Sequence, residues 1–137
     1  MTEGREGAYG AEEAPKRSIL IVDDEAATRK LLRATIEGLS IPCTVAEASD
    51  GDAALQLGRK TRPDLILLDI VLPGSSTSGV LVCQEFCKDS RTKVVIVSGQ
   101  ASDPIVQACL SMGAVEFVRK PFSVDDLRAK LERWLAD

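Results

Sequence analysis

Four short apolar runs in this chain each lead into a polar residue. Ile19-Leu20-Ile21-Val22 ends at Asp23-Asp24, and Leu65-Ile66-Leu67-Leu68 ends at Asp69. Val94-Val95-Ile96-Val97 ends at Ser98, and Val115-Glu116-Phe117-Val118 leads into Arg119-Lys120-Pro121. Runs this short, rich in Val and Ile, read as strands buried on both faces, as in a parallel sheet. Strands are therefore expected at 18–22, 65–68, 93–97 and 115–118. A weaker one is expected at 42–47, where Pro42 near the start suits a sheet edge.

Helical spacing fills the intervals. A helix at 26–38 places Leu32, Ile36 and Leu39 on one side, and one at 51–60 turns Ala54 and Leu57 inward. A loop rich in Gly and Ser, 73–79, leads to a helix at 79–88. The helix at 103–112 shows Ile105, Ala108, Cys109 and Met112 at helical spacing, with Gly113 as its C-terminal cap. The last helix, 124–136, opens with Ser123 and Asp126 at capping-box spacing. It carries an apolar stripe of Leu127, Leu131, Trp134 and Leu135, with Trp134 read as core packing.

Strictly alternating strands and helices imply α/β architecture, a parallel sheet with helices on both faces. Right-handed crossovers leave few topologies. The one expected is the flavodoxin-like three-layer α/β/α sandwich, a five-stranded parallel sheet in the order 2-1-3-4-5. Residues 1–16 show no apolar periodicity and are expected to be a disordered tail, followed by a single domain over 17–137.

Composition narrows the function classes. The 137 residues are 45% hydrophobic, with no apolar run near membrane-spanning length and no signal-peptide pattern, so the expectation is a cytoplasmic protein without a membrane partner. A net charge of −4 gives no basic footprint, which argues against direct nucleic-acid binding. There is no histidine. Cys43, Cys83, Cys87 and Cys109 lie in apolar stretches and read as reduced, buried thiols, with a soft-metal site at Cys83 and Cys87 as the minor alternative.

The carboxyl ends of parallel strands are where such sheets bind ligands. In the expected order the first and third strands are neighbours, which gathers Asp23, Asp24 and Asp69. Like charges about 4 Å apart repel by roughly 4 kcal/mol at an effective dielectric near 20, so three carboxylates together call for a cation. Mg²⁺ fits, since it prefers oxygen ligands and shares them with phosphate. A carboxylate can attack phosphorus to form an aspartyl phosphate, and Asp69 on the central strand is the candidate nucleophile. Asp23 and Asp24 would hold the metal, Ser98 would hydrogen-bond a phosphoryl oxygen, and Lys120 would neutralise another.

These residues make the chain resemble the receiver domain of bacterial two-component response regulators. The resemblance rests on Val22-Asp23-Asp24-Glu25, Leu68-Asp69, Pro73, Val97-Ser98-Gly99, Gly113-Ala114 and Lys120-Pro121-Phe122, and spans about 18–136. It implies that Asp69 accepts a phosphoryl group from a sensor histidine kinase or phosphotransfer protein. It also implies Mg²⁺ bound by Asp24, Asp69 and the Val71 carbonyl, with Asp23 acting through water. In the family, the counterparts of Ser98 and Phe117 move on phosphorylation and remodel the face of the fourth helix, fifth strand and fifth helix, which engages a downstream protein effector. The bond between Lys120 and Pro121 is often cis in the family. Such a domain is a phosphoacceptor in signalling rather than an enzyme, and a monomer or weak dimer is expected.

Ser98 and Lys120 are expected to gain a partner only in the phosphorylated state. Phe117, lacking a hydroxyl, is expected to populate an inward position without phosphate. Glu116, Asp126 and Lys130 are read as exposed charges rather than pairs across a dimer. The chain departs from the family pattern at Gly79, which falls ten residues after Asp69, later than usual, behind a longer, serine-rich loop, and, as a family variant, at Val71 and Gln100. Val71 and Gln100 flank the path of a hydrolytic water, and Val71 offers it no side-chain hydrogen bond, so the phosphoryl lifetime is not expected to be unusually short. A haloacid dehalogenase-type phosphatase would carry a second Asp where Val71 stands. A flavodoxin would carry a hydroxyl-rich phosphate loop after the first strand. The remaining alternative is a receiver-like interaction module that acts without phosphorylation. Nothing in this sequence after 124–136 reads as an effector, so a stand-alone domain and a piece of a longer regulator both remain open.

Overall fold

The computed structural model describes residues 15–136. The strands are β1 (Arg17–Val22), β2 (Cys43–Ala48), β3 (Leu65–Leu68), β4 (Lys93–Ser98) and β5 (Glu116–Arg119). The helices are α1 (Ala26–Glu37), α2 (Gly51–Thr61), α3 (Gly79–Phe86), α4 (Asp103–Met112) and α5 (Val124–Ala136). All pairings are parallel and the order is β2-β1-β3-β4-β5, as the alternation of runs predicts. β2, with Pro42 just before it, is an edge strand. The disordered tail expected over 1–16 lies, apart from its last two residues, outside the described residues.

Side chains alternate across a strand, and this alternation builds two cores. Ile19, Ile21, Leu65, Leu67, Val95 and Val97 face α1 and α5, where Leu32, Ile36, Leu127, Leu131, Trp134 and Leu135 meet them. Leu20, Val22, Ile66, Leu68, Val94 and Ile96 face the other way, onto α2, α3 and α4 through Ala54, Val82, Phe86, Val106 and Cys109. Both faces are covered, so the strands read as unbroken apolar runs.

Local chemistry sets where the helices begin and end. Asp50 and Ser78 cap α2 and α3 through their side chains, accepting from the Ala53 and Leu81 amides. α2 stops at Arg62, which takes a left-handed conformation (φ 47°), before Pro63. Gly113 ends α4 at φ 123°, which favours glycine. Ser123 Oγ accepts the Asp126 amide at 3.2 Å, the forward half of the expected capping box.

One stripe is out of phase with its prediction. α4 buries Val106 and Cys109, while Ile105 (41% exposed), Met112 (36%) and Ala108 face solvent. The helix is apolar nearly all round, so spacing alone could not choose the buried face. Cys83 and Cys109 are fully buried, Cys43 and Cys87 half-buried, and all four are free thiols. Burial pushes the Cys83, Cys87 and Cys109 thiols up, so they stay protonated and behave as small hydrophobes. No helix among the described residues is long and apolar enough to cross a membrane.

Candidate functional site

The backbone ladder carries the site residues past the ends of the strands. Val22 pairs with Leu68, so Asp23 and Asp69 emerge side by side. The Asp69 amide donates to the Val22 carbonyl at 2.9 Å and the Asp23 amide to the Ala48 carbonyl at 3.1 Å. Ser98 ends β4 opposite Arg119, and the Lys120 amide donates to the Ser98 carbonyl at 3.1 Å. The bond between Lys120 and Pro121 is cis.

These positions close into an open cleft of about 290 Å³ bordered by Asp24, Asp69, Val71, Ser98, Gln100 and Lys120. Asp23 and Asp69 are buried and Asp24 is exposed, and their carboxylate oxygens lie within 4.8 Å of one another. Lys120 Nζ donates to Asp23 Oδ2 at 2.7 Å and to Asp69 Oδ2 at 2.9 Å, and stands 3.7 Å from Glu25. Asp69 Oδ1 accepts from Ser98 Oγ at 2.9 Å and from the Val71 amide at 2.9 Å. Asp23 is fixed by the Glu25 amide, which donates to its Oδ1 at 2.9 Å, and by Arg29, which donates to its backbone carbonyl at 2.8 Å.

All the residues predicted for the site therefore converge except Phe117, which lies on β5 outside the cleft. The expectation that Ser98 and Lys120 gain a partner only with phosphate is corrected, because both are already bonded to the free Asp69 carboxylate. The half-buried Phe117 ring packs against the core on the α2, α3 and α4 side and lies under the Arg119 guanidinium, 5.0 Å from the ring centroid. Glu116 and Lys130 are not idle exposed charges, since they pair within the chain at 2.7 Å, and Arg133 joins Glu116 at 3.4 Å. Glu25, to which the motif alone gives no role, faces Lys120.

The electrostatics leave room for a cation. Burial raises the Asp23 carboxyl above the usual carboxylate range, and the hydrogen bond from Lys120 only partly offsets this. Burial alone would depress the Lys120 ammonium, but its hydrogen bonds to Asp23 and Asp69 outweigh that and raise it. One ammonium thus serves three carboxylates. An all-oxygen donor set open to water on one side fits Mg²⁺.

A family model for the response regulator receiver domain matches residues 19–132. The chain is 40% identical over 118 residues to the "Probable transcriptional regulator ycf27" of Guillardia theta, covering 85% of this chain and 44% of that protein. It is 34% identical over 122 residues to the "DNA-binding response regulator MtrA" of Mycobacterium leprae, covering 86% of this chain and 52% of that one. The chain thus spans about half the length of these relatives. The crystal structure of the receiver domain of NtrX from Brucella abortus superposes with a TM-score of 0.76 at 34% identity, over 86% of this chain and 98% of that one. A CheY-like receiver domain from Methanospirillum hungatei gives 0.79 at 27% identity, over 89% and 95%. The carboxylate cluster at the ends of β1 and β3, the fold and these relatives agree, and the chain belongs to the response regulator receiver domain family.

Proposed function

We propose that Asp69 is the phosphoacceptor and that the domain takes its phosphoryl group from the phosphohistidine of a sensor kinase or phosphotransfer protein. The observation that carries this reading is the holding of Asp69. Its carboxylate is buried at the carboxyl end of the central strand, oriented by Ser98, Val71 and Lys120, and faces an open cleft. A carboxylate oxygen attacks phosphorus, the bond from phosphorus to the donor imidazole breaks, and the electron pair leaves with the imidazole nitrogen. Such transfer needs mainly positioning and charge stabilisation.

Asp23, Asp24, Asp69 and the Val71 carbonyl would hold Mg²⁺, which when bound neutralises charge on the transferring group. Lys120 holds the acceptor in line and offers its charge to a phosphoryl oxygen, and Ser98 offers its hydroxyl to another. Beside the cleft, α1 exposes Ala27, Leu31 (44% exposed) and Ala34 at helical spacing, an apolar stripe that fits the helical surface of a phosphodonor. The output is a shift of the face formed by α4, β5 and α5, on which Ile105, Ala108 and Met112 stand exposed to a protein effector.

Acetyl phosphate with Mg²⁺, followed by intact-protein mass spectrometry, tests the reading. Wild type should gain one phosphoryl group, and Asp69→Asn should gain none. Equal labelling of both proteins sinks the assignment, and no labelling of wild type favours an interaction module that works without phosphate.

A further inference from the structure

The serine-rich loop that departs from the family pattern is not a loose insertion. Its two ends touch, because Gly79 lies so close to the Ile70 backbone that a Cβ there would overlap it. Gly74 at its tip has φ 78° and open space around it. Ile70 and Leu72 are buried in the core and Val71 packs against it, but no residue of 73–78 is buried, so in that outer limb little apolar burial offsets the entropy of ordering. Order must come from hydrogen bonds, and they converge on the first turn of α2.

Ser75 Oγ accepts from the Gly51 amide at 2.9 Å and donates to the Thr77 carbonyl at 2.7 Å. The hydroxyls of Ser76 and Thr77 both donate to the Asp52 carboxylate, one to each oxygen. These bonds hold the Asp52 carboxyl below the usual carboxylate range. Gly51 has to be glycine, since a Cβ there would overlap the Thr77 carbonyl. The inner limb of the same loop reaches the site: the Val71 amide donates to Asp69 Oδ1, and Val71 and Pro73 border the cleft.

We propose that Asp52, an exposed residue that touches none of the reacting groups, is a positioning residue for the phosphorylation site. It grips Ser76 and Thr77, fixes the path of the 70–79 loop, and so fixes the Val71 amide and carbonyl beside Asp69. The proposal rests on the phosphoacceptor reading above, but it is measurable without phosphate.

The test uses the whole chain, as Asp52→Ala and as the paired Ser76→Ala/Thr77→Val variant. The first measurement is amide hydrogen exchange in metal-free protein, comparing Val71 with Leu67 in β3. The second is calorimetric titration with Mg²⁺ alone. In both variants Val71 should exchange faster while Leu67 keeps its wild-type rate. Mg²⁺ binding should weaken by about tenfold, the low end of what losing a partner outside the ligand set costs. Asp52→Asn, which keeps one acceptor oxygen, should fall between Asp52→Ala and wild type. Unchanged Val71 exchange in both variants overturns the proposal, as does faster exchange at Val71 and Leu67 alike, which would make the strap that Asp52, Ser76 and Thr77 form a stability brace only. A wild type that exchanges as expected but is never phosphorylated refutes the phosphoacceptor reading and leaves the strap standing.

Discussion

Removing Lys120 tests how the carboxylate cluster is held together. Its ammonium lies 2.7 Å from Asp23 Oδ2 and 2.9 Å from Asp69 Oδ2, and those side chains are only 1% and 8% exposed. Truncating one partner of a buried ion pair costs about 3–5 kcal/mol, because the charge left behind has neither water nor a counter-ion. Lys120 itself is 17% exposed and the cleft admits water, which places Lys120→Met at or just below the bottom of that range, about 2–3 kcal/mol. That is a large fraction of the ~5–15 kcal/mol that stabilises a domain. The loss should depend on metal. An ion that binds only the folded state stabilises by RT ln(1 + [L]/Kd), about 2.7 kcal/mol at a hundredfold excess over Kd. The variant, with a more negative cleft, should bind Mg²⁺ more tightly than wild type and recover more. Urea unfolding of both proteins should show the full penalty in EDTA and less than about 1 kcal/mol of it in saturating Mg²⁺. An equal penalty in the two media refutes the reasoning, since Lys120 would then matter as packing rather than as the cluster's cation. No penalty in EDTA refutes it differently, by showing that the carboxylates had already neutralised themselves by taking up protons.

Two further outcomes follow from the fold. Gly58 in α2 lies under the Phe86 ring, and a Cβ there would overlap two of its carbons. Gly58→Ala should therefore destabilise by about 1–3 kcal/mol despite the helix propensity it gains, and Phe86→Leu in the same chain should recover part of that; a neutral Gly58→Ala in urea unfolding refutes the contact. Glu47 on β2 receives Arg33 at 2.6 Å and Arg29 at 3.1 Å, and the Arg33 hydrogen bond, the largest influence, leads a net lowering of its carboxyl pKa. A folded pKa below the unfolded value stabilises above the unfolded value and is lost as pH falls through the folded one, so Glu47→Gln should flatten the acid limb of a stability-versus-pH curve and leave the alkaline limb unchanged; parallel acid limbs would contradict the pairing.

Much of this was legible in the sequence because a parallel sheet writes itself plainly. Apolar runs such as Leu65–Leu68 need both faces covered, and once the strand order sets β1 beside β3, the register that pairs Val22 with Leu68 brings Asp23 beside Asp69. Periodicity failed where a helix is apolar on more than one side. In α4, Ile105, Ala108 and Met112 are as well spaced as the residues actually buried, and only the packing of the helix onto the core formed by the sheet and α3 selects Val106 and Cys109. The strap was illegible for another reason. Asp52 stands more than twenty residues before Ser76 and Thr77 in sequence, and Ser, Thr and Asp in loops ordinarily bond to their own neighbours or to water. Nothing in local composition distinguishes a hydroxyl that grips a distant helix from one that is merely solvated.

The donors found already bonded to Asp69 alter how the proposed switch has to work. With the carboxylate free, Ser98 Oγ and Lys120 Nζ each hold one of its two oxygens. Transfer of a phosphoryl group turns one of those oxygens into the bridging atom of an acyl phosphate, which is a poor acceptor, and moves about two negative charges onto the phosphoryl oxygens. The hydrogen bonds present now are thus the ones the reaction weakens. On the proposed function, Ser98 and Lys120 would be donors that follow a charge moved outward from the strand end, rather than idle groups recruited by phosphate. For Ser98, fully buried at the end of β4, following that charge means a rearrangement of the β4–α4 connection, which begins at the next residue. The stripe that the sequence misplaced lies on α4, at the far end of that connection. On the proposed function, its exposed apolar residues stand where a small motion of Ser98 would be read by an effector.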